Sequence, residues 1–246
     1  MERFGITKET LQVIYEDNHI IVVVKPVGIP VQQDKTGDLD MLTVIKEYLK
    51  EKYQKPGNVY LGLVHRLDRM VGGVMVFAKT SKAASRLSEY IRQKNVKKKY
   101  LAIVHGSIPF EKQPVILQDY LLKNQKLNKS SVVDPDIKNA KFAELSYQVL
   151  DQIIYEGKPY SVVDIDLHTG RHHQIRVQFA SRGHALYGDM KYGQKINKVG
   201  QYLALWSYYL SFYHPTKDAY LEFTVKPQEM IGNKDIGLDA IWSVIE

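Results

Sequence analysis

Two short apolar segments enclose a polar turn, and this unit constrains the fold more than any other stretch. Residues 59–64 read VYLGLV, residues 74–78 read VMVFA, and the sequence HRLDRMVGG lies between them. Short apolar runs bounded by turn residues predict β-strands. Asp68 therefore lies where a strand ends, which is where a sheet can present a side chain to a cleft. Gly72 and Gly73 allow another backbone to approach closely.

The spacing of apolar residues predicts the remaining elements. Two β-branched runs, at 11–15 and 19–24, predict a hairpin that Pro26 ends. Two helices with apolar residues at helical spacing are predicted after the caps Asp40 and Ser81. Further strands are predicted at 100–106, 115–122, 142–150, 160–167, 203–215 and 219–225, and a last helix at 236–245. The pattern indicates an α+β protein, and without an internal repeat we expect one domain over residues 1–246.

Composition excludes several classes of protein. The chain has 246 residues, 44% of them apolar, and a mean hydropathy of −0.30, which suits an ordinary globular protein. It has no apolar run long enough to span a membrane and no apolar core of a signal peptide near its first residues. With no cysteine, it has neither disulfides nor thiolate metal sites. We expect a cytoplasmic protein that does not enter the membrane.

The balance of charge favours a polyanionic partner. Lys and Arg total 34 against 27 for Asp and Glu, which gives a net charge of +7 and a pI near 9.2. Five basic residues and no acid lie between Arg92 and Lys99, and three unopposed lysines lie between Lys123 and Lys129. RNA is one partner that these runs fit, and a solvated surface is the alternative.

A second polar motif reads HTGRHHQIR over residues 168–176. Thr169 is a candidate helix N-cap, and Arg176 lies on the flank of an apolar helix face, where its charge requires a carboxylate partner. The spacing of His168 and His172 raises the alternative of a zinc site. That site is disfavoured because His168 precedes the predicted helix and no carboxylate follows at ligand spacing. We expect no metal, and Arg171 and His172 are instead candidates for holding RNA phosphates.

These motifs together resemble the RluA-type pseudouridine synthases. HRLD matches the family's catalytic motif, Lys99-Tyr100 lies at the position of its Lys-x-Tyr, and TGRHHQIR matches its Thr-Gly-Arg-x-His-Gln-Ile-Arg. The opening Lys-Pro-x-Gly and the strand at 203–215 are also similar to family motifs, and the resemblance covers about residues 11–227. This sequence differs from the family motifs at three places: Val71-Gly72-Gly73 replaces Thr-Ser-Gly, His172 replaces threonine, and Trp206-Ser207 replaces His-Ala.

The resemblance implies a fold, a reaction and a set of site residues. The fold is a mixed, mostly antiparallel sheet with flanking helices and a central RNA-binding cleft. The reaction converts a uridine in RNA to pseudouridine without a cofactor. Catalytic roles fall to Asp68, to the base-stacking Tyr100 and to Arg176, which pairs with Asp68. Leu205 lines the uracil pocket, and Arg66 fills the space that the flipped base vacates; a structural arginine bonded to backbone carbonyls is the alternative for Arg66.

The position of the motifs near the first residue predicts no separate S4-like RNA-binding module, and we expect a monomer. Ribosomal and transfer RNA enzymes share these motifs, since target selection depends on RNA shape. Two other functions stay open at this point. One is a non-catalytic RNA-binding protein or chaperone with a degenerate site, which the Val71-Gly72-Gly73 change would suit. The other is a zinc-dependent hydrolase.

Overall fold

The structure is a computed structural model that describes residues 6–34, 36–230 and 240–244. It divides into two compact units: unit 1 comprises Met1–Lys97 and Ser207–Leu238, and unit 2 comprises Lys98–Trp206 and Asp239–Glu246. The expectation of a single catalytic domain stays a prediction. None of the helices in the described ranges has the length and apolar character needed to cross a membrane.

Strands dominate the secondary structure. In chain order they are β1 (Gln12–Glu16), β2 (Ile20–Lys25), β3 (Gly62–Leu63), β4 (Gly72–Ala78), β5 (Lys97–His105), β6 (Val115–Asn124), β7 (Lys129–Val133), β8 (Lys141–Tyr155), β9 (Lys158–Leu167), β10 (Leu205–Tyr213) and β11 (Tyr220–Thr224). The helices are α1 (Met41–Lys52), α2 (Ser81–Arg92) and α3 (Gln174–Ala180), with short 3-10 helices at Pro227–Met230 and Ala240–Val244.

In unit 1 the strands follow the order β1-β2-β4-β10, with β3 beside β4 and β11 beside β10. The pairs β1–β2, β2–β4, β3–β4 and β10–β11 are antiparallel. Every residue of β2 and β4 is buried, which explains why these two segments read as continuous apolar runs rather than alternating ones. The predicted hairpin of β1 and β2 is confirmed. The predicted strand at 59–64 is wrong in length, because only Gly62 and Leu63 pair with β4.

Helices α1 and α2 begin with side-chain caps. Asp40 caps α1 as predicted, and its Oδ1 accepts a hydrogen bond from the Thr43 amide at 3.2 Å. The cap of α2 is Thr80, whose Oγ1 accepts from the Ala83 amide at 3.2 Å, so the prediction of Ser81 is wrong by one residue. Thr80 has the extended backbone that an N-cap requires, whereas Ser81 is already helical.

In unit 2 the strands follow the order β5-β9-β8-β6-β7, and each neighbouring pair is antiparallel. Strands β8 and β9 form a long hairpin through Glu156 and Gly157, which both have positive φ. Helix α3 packs on β6 and β7. The α+β class with a mostly antiparallel sheet is therefore confirmed in both units. Of the helix predicted at 236–245, residues 236–239 and 245 lie outside the described residues, and Ala240–Val244 form a 3-10 helix.

One glycine in β4 is required by close packing. Gly73 has φ +121°, and a β-carbon built there would lie 2.1 Å from the carbonyl oxygen of Ser207. No side chain fits that space without moving backbone. The glycine that the sequence marked for close backbone approach thus meets the backbone of β10.

We expect Gly73→Ala to lower the free energy of unfolding by about 3 kcal/mol or more, because it adds a backbone clash to an unfavourable φ. Gly157→Ala is the matched control, since Gly157 also has positive φ but has no neighbour within 4 Å of its added β-carbon. We expect that control to cost about 1–2 kcal/mol. Chemical denaturation of both variants measures the difference, and equal losses would show that contact with Ser207 is unimportant.

Candidate active site

Asp68 lies half-buried in the loop between β3 and β4. Its carbonyl oxygen accepts from the Val71 amide at 3.0 Å, and its Oδ1 accepts from the Met70 amide at 3.3 Å. Asp68 therefore caps a turn, as short acids commonly do. The bond with Met70 uses one carboxylate oxygen, so it orients the group and is compatible with a chemical role.

A buried lysine fixes the turn that carries Asp68. Lys25 ends β2 with no exposed surface, and its Nζ donates to the carbonyl oxygens of Pro26 at 2.8 Å, Arg69 at 2.9 Å and Val71 at 2.8 Å. Two of these three acceptors belong to the turn that follows Asp68. In the sequence, Lys25 had only marked the end of a strand, so this role was missed.

The charge of Lys25 follows from its surroundings. The pKa of the Lys25 ammonium is lowered to about 7, chiefly by burial; the nearby Asp68 carboxylate acts to raise this pKa and Arg69 acts to lower it. Three carbonyl acceptors require three N–H donors, which the ammonium supplies and the neutral amine does not. The geometry therefore favours the charged form, whose field in turn favours ionised Asp68.

The two arginines that flank this motif have different environments. Arg69 is structural: its Nε donates to the Gly28 carbonyl at 2.8 Å, and its Nη2 bonds to Asp38. Arg66 is exposed, and within the described ranges no hydrogen bond or ion pair holds it. The carbonyl-bonded structural role that was the alternative for Arg66 is instead that of Arg69. Arg66 is available to a ligand. The role of Arg66 in replacing a flipped base stays a prediction.

In unit 2, Arg176 is buried in α3 and has a carboxylate partner, as its predicted burial required. Its Nε donates to Asp189 Oδ2 at 2.8 Å and its Nη2 to Oδ1 at 2.6 Å. The guanidinium also lies 5.3 Å from the ring centroid of Tyr192, a cation–π contact. The bidentate contact fixes the plane of the guanidinium. The pairing of Arg176 with Asp68 stays a prediction.

Sequence reasoning missed Asp189 as a site residue. Its carboxylate is fully buried, and Oδ1 also accepts from the amides of Lys191 at 2.9 Å and Tyr192 at 3.0 Å. The signal was the pair Gly188-Asp189: Gly188 has φ +73° and would clash with the backbone of Tyr202 if it carried a β-carbon. Such a glycine indicates a constrained turn whose acid faces inward.

The start of α3 differs from the prediction. The helix begins at Gln174 after His173, which has φ +55° and forms no side-chain cap, so Thr169 is not the N-cap. Thr169 instead donates its hydroxyl to Gln174 Oε1 at 2.7 Å. The Gln174 side chain also accepts from the Arg171 amide at 3.0 Å and donates to the Glu144 carbonyl at 3.0 Å. The Gln174 side chain thereby holds the loop at 169–173 in place. A helix that began at Thr169 would not contain this loop.

The three histidines of this loop bind separate protein groups. His168 contacts Glu144 at 3.0 Å, His172 contacts Ser130 at 2.9 Å, and the third, at 173, contacts the Tyr192 hydroxyl at 3.0 Å. In the part of the chain that the structure describes, no group of three histidine or carboxylate residues is placed to hold a metal ion.

The candidate phosphate ligands of this loop are held by protein groups. Arg171 is exposed and donates Nε to the Phe142 carbonyl at 2.7 Å, and His172 also reaches Asn128 at 3.0 Å. Their contacts with RNA phosphates stay predictions.

The other two predicted site residues are buried in unit 2. Tyr100 lies in β5 opposite Ile165, and Leu205 begins β10. Their roles in stacking on a base and lining a pocket stay predictions. Trp206, which follows Leu205, has no exposed surface and belongs to the core.

Comparisons with known proteins agree with these motifs. A family model described as RNA pseudouridylate synthase matches residues 19–181. The ribosomal large subunit pseudouridine synthase C of Buchnera aphidicola is 34% identical over 211 residues, which cover 83% of this chain and 63% of that protein. The mitochondrial tRNA pseudouridine(32) synthase of Saccharomyces cerevisiae is 34% identical over 202 residues, 80% of this chain and 41% of that protein. The chain thus spans less than two thirds of either relative.

A solved structure, human RNA pseudouridylate synthase domain containing 1, has a similar fold. It aligns with a TM-score of 0.72 at 23% identity, over 91% of this chain and 86% of that one. The likeness supports the fold class.

We expect Asp189→Asn to lower the free energy of unfolding by about 3–5 kcal/mol, because it leaves the buried Arg176 cation without a carboxylate and places an amide N–H2 among donors. Glu156→Gln is the control: it removes an exposed ion pair with Lys198, which water screens, so its unfolding free energy should stay close to that of wild type. Urea denaturation of the two variants measures both values. A loss for Asp189→Asn no larger than the control would contradict the importance of the buried pair.

Proposed function

Because the chain belongs to the RNA pseudouridylate synthase family and is of its RluA type, we propose that it isomerises specific uridines in ribosomal or transfer RNA to pseudouridine. The observation that carries this proposal is the Asp68 turn: the buried Lys25 ammonium donates to two carbonyls of the turn, and the exposed Arg66 lies two residues before the acid. The active site so proposed comprises Asp68, Tyr100 and Arg176.

The chemistry needs no external reagent, because the product is an isomer of the substrate. The bond between ribose C1′ and uracil N1 breaks, a bond from C1′ to C5 forms, and a proton leaves C5 while one is gained at N1. Asp68 starts the reaction, either by attacking C1′ or by promoting cleavage of the glycosidic bond. An ordinary Asp, with a pKa of about 3.9, is already ionised at pH 7, so the protein has mainly to orient this carboxylate.

Each remaining residue has one task in this proposal. Arg176, whose plane is held by Asp189, orients the Asp68 carboxylate. Tyr100 stacks on the uracil ring and its phenol exchanges a proton, while Leu205 walls the pocket so that the free base is retained.

The target base has to leave its helix or loop before it reaches Asp68, at a cost of about a few kcal/mol. The Arg66 guanidinium, which is exposed and has no protein partner in the described part of the chain, can fill the vacated space and recover part of that cost. The RNA-binding cleft, with phosphate contacts from Arg171 and His172, belongs to the same proposal.

The class of RNA follows from the relatives only in outline. By name, the Buchnera relative acts on the large ribosomal subunit and the yeast relative on tRNA. We therefore propose a structured stem-loop of either kind as the substrate, since recognition of such RNA depends on shape. Cytoplasmic location and a monomeric state stay predictions. The second candidate, a non-catalytic RNA-binding protein, retains the same partner but predicts no turnover.

Mapping of pseudouridine in total RNA tests the proposal. RNA is compared between cells with the gene, cells without it, and cells that carry Asp68→Asn. We expect the same sites to fall to background in both altered strains, because the amide supplies no anion for C1′. Asp218→Asn, which makes the same change at an exposed turn, is the control and should retain full modification.

Two outcomes would contradict this proposal. Modification that persists in the Asp68→Asn strain would exclude Asp68 as the catalytic acid. If no site is lost in either strain and the purified protein binds unmodified transcripts without converting them, the non-catalytic candidate is correct. Circular dichroism of Asp68→Asn separates loss of chemistry from loss of folding.

A further inference from the structure

Two adjacent lysines at the start of β5 have different environments. Lys99 lies opposite Asp166 in the register with β9, and its Nζ is 3.4 Å from Asp164 Oδ2. Side chains alternate between the two faces of a strand. Lys98 therefore shares its face of the sheet with Tyr100, and Lys99 projects from the opposite face.

Lys98 has an unusual environment for a cation. Its ammonium is partly removed from water, which lowers its pKa. Within the described ranges it forms no hydrogen bond and no ion pair. A cation that is partly removed from water and has no protein partner is unfavourable for folding, so packing alone does not explain its place. Such a group is well suited to bind an anion supplied by a ligand.

The Lys98 ammonium lies beside the loop that carries Gly170. A β-carbon built on Gly170 would lie 3.8 Å from Lys98 Nζ, so the ammonium faces a backbone position without a side chain. The neighbouring Arg171 side chain is turned to the Phe142 carbonyl. The position next to the ammonium is thus bordered by a loop that Gln174 and Thr169 hold in place.

We infer that Lys98 binds a backbone phosphate of the RNA, adjacent to the nucleotide whose base reaches Tyr100. This inference rests on the proposed function, because it takes RNA as the partner. Same-face residues of a strand lie about 7 Å apart, which is within the span of one nucleotide. An ammonium suits a phosphate as a compact point charge with three donors. Lys98 is thereby a binding residue of the same site, and Lys99 is not.

Binding measurements with a matched pair of variants test the inference. Lys98→Met and Lys99→Met each remove one charge at nearly the same place, and both are made in the Asp68→Asn protein so that no turnover occurs. The probe is a stem-loop RNA that carries the mapped uridine or, if mapping finds none, a stem-loop with uridines throughout its loop. We expect Lys98→Met to weaken binding about tenfold or more, and Lys99→Met less than about threefold.

Thermal unfolding separates a ligand-binding lysine from a structural one. Because Lys98 has no partner in the described structure, Lys98→Met should leave Tm unchanged or raise it while RNA binding weakens. Lys98→Arg, which keeps the charge, should recover part of the affinity. A variant whose Tm falls while its RNA affinity stays at the wild-type value would overturn the inference.

Neutral linkages in the RNA identify the contacted group. Methylphosphonates are placed one at a time at the phosphates that flank the target uridine. At the phosphate that Lys98 contacts, neutralisation should weaken binding by wild type but not weaken binding by Lys98→Met any further, because the interaction is already absent. If every linkage costs the same in both proteins, Lys98 does not bind these phosphates.

The outcomes for Lys98 and for the proposed reaction are separate. If uridine sites depend on Asp68 but binding does not depend on Lys98, the reaction is correct and this inference is wrong. If no site depends on Asp68 but Lys98→Met still weakens RNA binding, the phosphate contact is correct and the proposed reaction is wrong.

Discussion

The buried ammonium of Lys25 is the interaction on which the candidate catalytic turn depends. It lies at the end of a fully buried strand, and its three bonds go to main-chain carbonyls, two of them in the turn after Asp68. Main-chain acceptors cannot rotate away as side chains do, so the ammonium sets the path of the turn. The same charge favours an ionised carboxylate at Asp68. One residue thereby couples the packing of β2 with the geometry of the reactive acid.

A comparable arrangement holds Arg176 in unit 2. Its partner Asp189 is fully buried and accepts hydrogen bonds from two amides as well as from the guanidinium. In each unit, therefore, a charge removed from water is fixed by several short, directional bonds. Preorganisation of this kind lets a protein position a charged group without reorganising when substrate binds. The cost of burying the charges is met by the rigid bonds around them.

Local signals predicted much of the fold, and long-range contacts limited the rest. The β1–β2 hairpin and the Asp40 cap follow from neighbouring residues, so sequence alone was sufficient. Thr169 was taken for a cap because nothing in the sequence reveals that Gln174 folds back onto it. Lys25 and Asp189 were missed as site residues for a similar reason, since the partners that define their roles lie elsewhere in the chain: the carbonyls of Arg69 and Val71 for Lys25, and the guanidinium of Arg176 for Asp189. The motif resemblance supplied the reaction, whereas the environments of Arg66 and Arg69 had to be seen in three dimensions.

The division of the chain has a consequence for its synthesis. Strand β4 is apolar and buried on both faces. Its neighbour β10 lies mostly in the second segment of unit 1, which begins at Ser207. On the ribosome, β4 therefore emerges long before this neighbour, and the whole of Lys98–Trp206 has to be translated in between. At about 5–20 residues per second, that delay is about 5–20 seconds. Unit 2 is nearly continuous in sequence and can form meanwhile, while β4 remains an exposed apolar edge that is open to pairing with other chains.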